Sequence, residues 1–145
     1  MLWDIGADAG SVAIEWMLGA PTMRAIAVER DAERAARICR NAAAFGVPQL
    51  QLIDAAAPVA LTGLPAPDAI FIGGGGDTDV LDTAMRALRP RGRLVANAAT
   101  VKSETALLMR HGTLGGELTR IATGAGAPGG ESRSRPVLQW VWTKP

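Results

Sequence analysis

Three carboxylates stand at the ends of short apolar runs: Asp4 in LWDI, Glu29 in RAIAVE and Asp54 after QLQLI. A glycine-bearing turn, Gly6-Ala7-Asp8-Ala9-Gly10, follows the first run. An acid about 20 residues beyond such a turn can hold both hydroxyls of a ribose. The Asp54 carboxylate, or backbone near it, is placed to read the amino edge of an adenine. The turn fails the G-x-G-x-x-G spacing of dinucleotide sites and lacks the lysine of a phosphate-binding loop. A pyrophosphate would also meet the carboxylate of Asp8 at close range, and like charges in a half-buried site repel. Three acidic strand ends suit an uncharged nucleoside with a cationic tail. S-adenosylmethionine has that chemistry: a ribose, an adenine, a sulfonium and an ammonium, and no phosphate. Asp8 is tolerable beside a sulfonium. Alternatively it points to solvent and only alters the turn, as Asp and Asn often do.

A second group of candidates lies further along. Four consecutive glycines, Gly73–Gly76, close the apolar run AIFI. Glycines at a strand end allow close approach of backbone to a ligand, although they can also form a plain loop. Arg133 and Arg135 lie in a Gly/Ser/Arg-rich stretch, and arginine pairs bidentately with carboxylates. Lys102 is a weaker candidate for the same task. His111 is expected on the outside of a helix end, where positive charge is favoured. Cys39 reads as a buried helix residue, and Trp3 and Trp16 as core. Trp140 and Trp142 share one strand face and suit a subunit interface.

The elements that must position these residues alternate in type. Apolar runs at Leu2–Ile5, Arg24–Glu29, Gln49–Ile53, Ala69–Ile72 and Arg93–Asn97 read as strands. Helical stretches follow at Ser11–Leu18, from Asp31 through Phe45, at Thr78–Leu88 and at Lys102–His111, with a weak short helix in APVALTGL. In the second helix Ala35, Ile38, Ala42 and Phe45 share a face, and Gly46 then Pro48 end it. Such alternation implies a parallel α/β sheet with ligands at the carboxyl ends of its strands. Two late strands, Glu117–Ala122 and Val137–Trp142, have no helix between them and should pair antiparallel. Ordinary dinucleotide-binding domains do not end that way.

The chain has 145 residues and a formal net charge of +1, which suggests one domain over 1–145 and argues against a nucleic-acid footprint. No apolar run reaches the roughly 18 residues of a membrane span. The single cysteine excludes an internal disulfide and fits a reducing, cytoplasmic compartment. The first strand begins at residue 2, so nothing in this sequence precedes it to cover a sheet edge or close a pocket, as in a short gene model, a fragment or part of a longer polypeptide.

DIGADAG, AVER, the Asp54-Ala55 corner and LRPRGRLV resemble, in order, the motifs of class I methyltransferases. LWDIGADAGSVAIEWM, AIAVERD, DAIFIGGGG and RLVANAAT are similar to the decarboxylating precorrin-6B C15-methyltransferase family, over essentially the whole chain. The resemblance implies a Rossmann-like three-layer sandwich with a mostly parallel seven-stranded sheet, an antiparallel last strand, and an amino-terminal cover segment that is missing here. It implies methyl transfer from S-adenosylmethionine to C15 of a precorrin, with loss of the C12 acetate carboxyl group, in corrin synthesis. The cofactor residues it implies are Asp4, Gly6, Ala7, Asp8, Ala9, Gly10, Glu29, Arg30, Asp54, Ala55 and Gly73. Those for the tetrapyrrole are Gly74, Gly75, Gly76, Asn97, Arg133 and Arg135. No metal ligand and no catalytic side chain is implied, and the assembly implied is a homotetramer. Asp8 departs from the small residue usual in the family, and Val101-Lys102 from an acid usual after the VAN stretch. A class I methyltransferase for another small molecule, or an inactive structural partner of similar fold, are the competing readings.

Overall fold

The structure, a computed structural model, describes residues 1–74, 76–122 and 136–145. Its strands are β1 (Leu2–Ile5), β2 (Ala25–Glu29), β3 (Gln51–Asp54), β4 (Ala69–Ile72), β5 (Arg93–Ala98), β6 (Glu117–Ile121) and β7 (Val137–Thr143). The helices are α1 (Ser11–Leu18), α2 (Ala32–Ala44), α3 (Thr78–Ala87) and α4 (Val101–Leu114), with a 3₁₀ turn at Val59–Leu61. The strands form one sheet in the order β3-β2-β1-β4-β5-β7-β6. β1 pairs parallel with both β2 and β4, so the chain reverses direction across the sheet at that point. β7 runs antiparallel to both neighbours, β5 and β6.

Strand parity divides the core. Trp3 and Ile5 point to one face, where they join Ile26, Val28, Ile70, Ile72 and Leu94 under α3 and α4. Leu2 points to the other face, where α1 and α2 bring Ala13, Ile14, Met17, Ile38 and Ala42 against Ala25 and Ala27. β1 and β2 are buried along their whole length, as strands covered on both faces must be. Edge strand β6 is mostly exposed, and edge strand β3 has no fully buried residue. Along β4, β5 and β7 the residues of the α1/α2 face, including Phe71, Val95 and Val141, are only half-buried.

The helix starts follow from local hydrogen bonding. The Asp31 carboxylate accepts from Arg34 N–H at the first turn of α2. The Asp77 carboxylate does the same for Val80 in α3. Thr100 and Ser103 form a reciprocal capping box, which starts α4 one residue earlier than the apolar pattern implies. β3 starts two residues later than expected because Leu50 N–H is still bonded to the Val47 carbonyl in a turn.

Several expectations are corrected. Phe45 is 60 % exposed, and Val47 fills the core below the end of α2 instead. The chain has already turned out of the helix at Phe45, with Gly46 at φ 78°. Cys39 is exposed, because it follows Ile38 onto the outer side of α2. Trp140 and Trp142 belong to this chain's own core, where their rings stack with centroids 6.0 Å apart, and not to a subunit interface. Trp16 is only partly buried, while Trp3 lies fully in the core as expected.

Candidate functional site

The carboxyl ends of β1, β2, β3 and β4 converge on one cleft. Register sets Ile5 beside Val28 and Ile72, and Glu29 beside Asp54. The turn after β1 is tied to β2, since Gly6 N–H and Ala7 N–H both donate to the Val28 carbonyl. It then folds on itself through Gly10 N–H to the Ala7 carbonyl at 2.7 Å. Gly6 has φ +68°, and a Cβ there would lie 2.5 Å from the Gly74 carbonyl oxygen. A Cβ on Gly73 would lie 2.9 Å from the Gly6 carbonyl oxygen, and Gly73 N–H donates to Ile5. The two glycine turns therefore meet main chain to main chain, which no other residue type permits.

Glu29 is 4 % exposed and organises the floor of the cleft. One of its carboxylate oxygens accepts from Asp8 N–H at 2.9 Å and the other from Asp31 N–H at 3.0 Å. Each oxygen retains a lone pair for a further donor. The Glu29 carbonyl accepts from Ala55 N–H, which fixes the corner after β3. Glu29, Gly6, Arg30, Arg34, Ala55 and Gly74 line the cleft.

Asp4 lies beneath the turn, 1 % exposed. Its Oδ2 accepts from Ala13 N–H in the first turn of α1, at 3.0 Å, and its Oδ1 has no partner. Burial pushes its carboxyl up to about 6, opposed by the Ala13 hydrogen bond and assisted by the charge of Glu29. A buried acid with an open oxygen is a costly arrangement in isolation. A cation nearby relieves it.

Asp8 answers the question its sequence position raises. Its φ is 52°, so aspartate occupies a left-handed position. Its carboxylate is largely exposed and pairs with Arg37 at 2.9 Å and Arg34 at 3.6 Å. It is held by α2, and only its backbone N–H reaches the floor of the cleft.

Of the remaining expected residues, Ala7 is buried and Ala9 accepts from Asn41 Nδ2 through its carbonyl. Gly10 sits against Ile38, and Gly76 against Ile72. Asp54 is exposed on edge strand β3 beside Glu29, and its neighbour Ala55 is the cleft residue. Asn97, at the end of β5, accepts at Oδ1 from Gln139 Nε2 on β7 at 3.0 Å. Gly75, Arg133 and Arg135 lie outside the described residues. Lys102 pairs with Asp77 at 3.5 Å, at the end of the glycine run. His111 lies in the last turn of α4, where its carbonyl accepts from Gly115 N–H.

Sequence reasoning missed Arg34 and the Ala56–Ala57 wall of the cleft. Arg34 had a signal: it is the third residue after the Asp31 cap, in the helix turn nearest the strand ends. The pairing of Asn97 with Gln139 had none, because the two lie 42 residues apart.

The donor set fits S-adenosylmethionine on three counts. Glu29 offers a buried carboxylate for ribose hydroxyls, Asp4 an unneutralised buried charge, and the Gly6–Gly74 contact a surface without side chains. Among the described residues no cluster of His, Cys, Asp or Glu could hold a metal ion. None of the described helices is long and apolar enough to cross a membrane.

Comparison with known proteins agrees with this geometry. Residues 1–144 match the family described as precorrin methyltransferase domain. A precorrin-6Y C(5,15)-methyltransferase (decarboxylating) of Sinorhizobium sp. is 54% identical over 149 residues, covering 99% of this chain. The match covers 36% of that relative, so the chain spans little more than a third of its length. A cobalt-precorrin-6B C(15)-methyltransferase (decarboxylating) of Salmonella typhimurium is 38% identical over 96 residues, 65% of this chain and 49% of the relative. The crystal structure of the C-terminal domain of precorrin-6Y C5,15-methyltransferase from Rhodobacter capsulatus superposes with a TM-score of 0.89 at 43% identity, covering 99% of this chain and 79% of that one.

Proposed function

The chain belongs to the precorrin methyltransferase domain family, and on that premise we propose that it methylates C15 of a precorrin and removes the carboxyl group of the C12 acetate. The observation that carries the reading is the buried Glu29 carboxylate facing the cleft beside a glycine turn that has no phosphate-binding chemistry. S-adenosylmethionine, when bound, supplies an electrophilic methyl group.

The chain's own residues have simpler tasks. Glu29 binds the ribose hydroxyls, and Ala55 with the adjoining turn borders the adenine. Asp4 holds a negative charge beneath the glycine turn, which favours a cationic ligand over a neutral one. Asp8 contributes its backbone N–H, which keeps Glu29 oriented. Gly73–Gly76 form the floor between cofactor and tetrapyrrole, where the absence of side chains lets the macrocycle approach closely. Asn97, Arg133 and Arg135 bind the substrate's carboxylates or ring edge. Loss of carbon dioxide leaves an electron pair that the conjugated ring can carry. Positioning and exclusion of water then suffice, and no strong acid–base side chain is required. Cytoplasmic location and a homotetrameric assembly belong to the same reading.

Calorimetric titration separates this function from a dinucleotide-binding one. S-adenosylhomocysteine is expected to bind at micromolar concentration and NAD not to bind. Incubation with S-adenosylmethionine and precorrin-6B should add one methyl group by mass and release carbon dioxide. Absence of heat with S-adenosylhomocysteine at millimolar concentration rejects the proposal.

A further inference from the structure

Helix α2 carries three arginines in succession, Arg34, Arg37 and Arg40. Arg34 stands in the first turn, at the third residue after the Asp31 cap. Helical side chains lean toward the amino-terminal end of their helix, and α2 begins just after β2 ends, at the rim of the cleft. Arg34 accordingly lines the cleft with Glu29. Arg37 and Arg40, roughly one and two turns further along, line only a neighbouring depression beside Asp31 and Glu33. Their engagement differs too. Arg37 Nη2 donates to the Asp8 carboxylate at 2.9 Å. Arg34 Nε stands 3.6 Å from the same oxygen, and no hydrogen bond to a described residue occupies its guanidinium. Positive charge in a first turn is also disfavoured by the helix dipole, so helix stability alone does not call for arginine there. The cleft does. Besides Glu29 and Arg30, its other side chains are the aliphatic groups of Ile5, Val28 and Ala55–Ala57. Among the described residues no aromatic ring lines it. A guanidinium plane stacks on an aromatic face and can take the place of such a ring.

We propose that Arg34 is a cofactor-binding residue whose guanidinium stacks on the adenine ring in the cleft. The inference rests on the reading of the cleft as an S-adenosylmethionine site. It adds a helix residue to a nucleoside site otherwise built from strand ends and their turns. Asp8 lies beside Nε, which leaves the plane and both Nη groups for the ligand.

The test is calorimetric titration of the full chain with adenosine, S-adenosylhomocysteine and S-adenosylmethionine. Arg34→Met keeps a long side chain of good helix propensity and removes the guanidinium. It is expected to weaken all three ligands by a common factor of about three to thirty, the range of one cation–π contact. A common factor locates the contact on the nucleoside, the part that the three ligands share. Arg34→Lys keeps the charge without the plane and should still fall at least about twofold short of the unsubstituted chain. Arg37→Met and Arg40→Met, on the same helix, should stay within about twofold. A loss with Arg37→Met that matches the loss with Arg34→Met overturns the inference, because the effect is then diffuse charge. A gain for S-adenosylmethionine with adenosine unchanged also overturns it, because the variant has then only relieved repulsion of a cation. A silent Arg34→Met in a chain that binds S-adenosylhomocysteine overturns the inference and leaves the cofactor reading standing. Failure of the unsubstituted chain to bind S-adenosylhomocysteine removes both.

Discussion

The two halves of the sheet carry polar groups in different ways. On the β1–β2–β3 side, the carboxylates are already hydrogen-bonded to the backbone that surrounds them. Glu29 holds Asp8 and Asp31, Asp4 holds Ala13, and the Ala9 carbonyl receives Asn41. Helices α1 and α2 cover that side. On the β4–β5–β7 side the same face is half-buried, and the Asn97–Gln139 amide couple stands among valines. The first half is a preorganised mould for a small ligand of fixed shape. The second is a half-buried, largely apolar face whose amide couple is paired with itself.

The sharpest way to break this contrast is at the seam between the halves. Gly6→Ala forces a Cβ against the Gly74 carbonyl at a positive φ, where neither partner can yield. It should destabilise the fold by ~4 kcal/mol, read by urea denaturation. Gly74→Ala meets nothing within 4 Å. It should cost less than about 0.5 kcal/mol in stability while raising KM for the tetrapyrrole. Equal costs at the two positions would erase the distinction between mould and surface.

Asp4 gives the next largest effect. Its folded pKa of about 6 exceeds the ordinary 3.8, so the folded chain holds a proton that the unfolded chain releases between these values. Stability is therefore greatest below about pH 4 as far as Asp4 is concerned, and falls as pH rises toward 6. Above that, the ionised group costs about 3 kcal/mol. Asp4→Asn should remove this slope, gaining about 3 kcal/mol on the unsubstituted chain between pH 4 and pH 7 in thermal or urea unfolding. A bound cation favours the ionised form, so S-adenosylmethionine should bind more tightly as pH rises through 6, with proton release visible as buffer-dependent heat.

Glu29→Gln sharpens the comparison from within the first half. One of its two backbone partners then faces an NH₂ group, and about 1–3 kcal/mol of stability should be lost. S-adenosylhomocysteine affinity should fall about 10- to 100-fold, by calorimetry. The smallest effect belongs to Asp8→Gly. It removes an uncommon left-handed aspartate together with two exposed ion pairs, and these opposing terms should leave stability within ~1 kcal/mol. Cofactor affinity should change less than about threefold, since only the backbone N–H of Asp8 meets Glu29.

The fold was legible because local and global signals agreed. Apolar runs of strand length, the Asp31 cap and Gly46 were enough to place β1, α1 and α2 nearly to the residue. That Glu29 and Gly6 line one cleft was legible because strand ends in a parallel sheet converge on one edge, whereas Ala55 came from the resemblance. Phe45 and Cys39 were misplaced because helical periodicity says nothing about where the neighbouring sheet stops. Trp140 and Trp142 were assigned outward because nothing local to their alternation shows that β7 inserts between β5 and β6, beneath α4. The pairing of Gln139 with Asn97 was invisible for the same reason: it exists only through register.

The Gly6–Gly74 contact also sets how the halves can communicate. Side chains absorb small displacements by changing rotamer, but two abutting peptide units have no such slack. The joint between the two loops is thus main chain alone, and Gly6 cannot move toward Gly74 unless Gly74 moves with it.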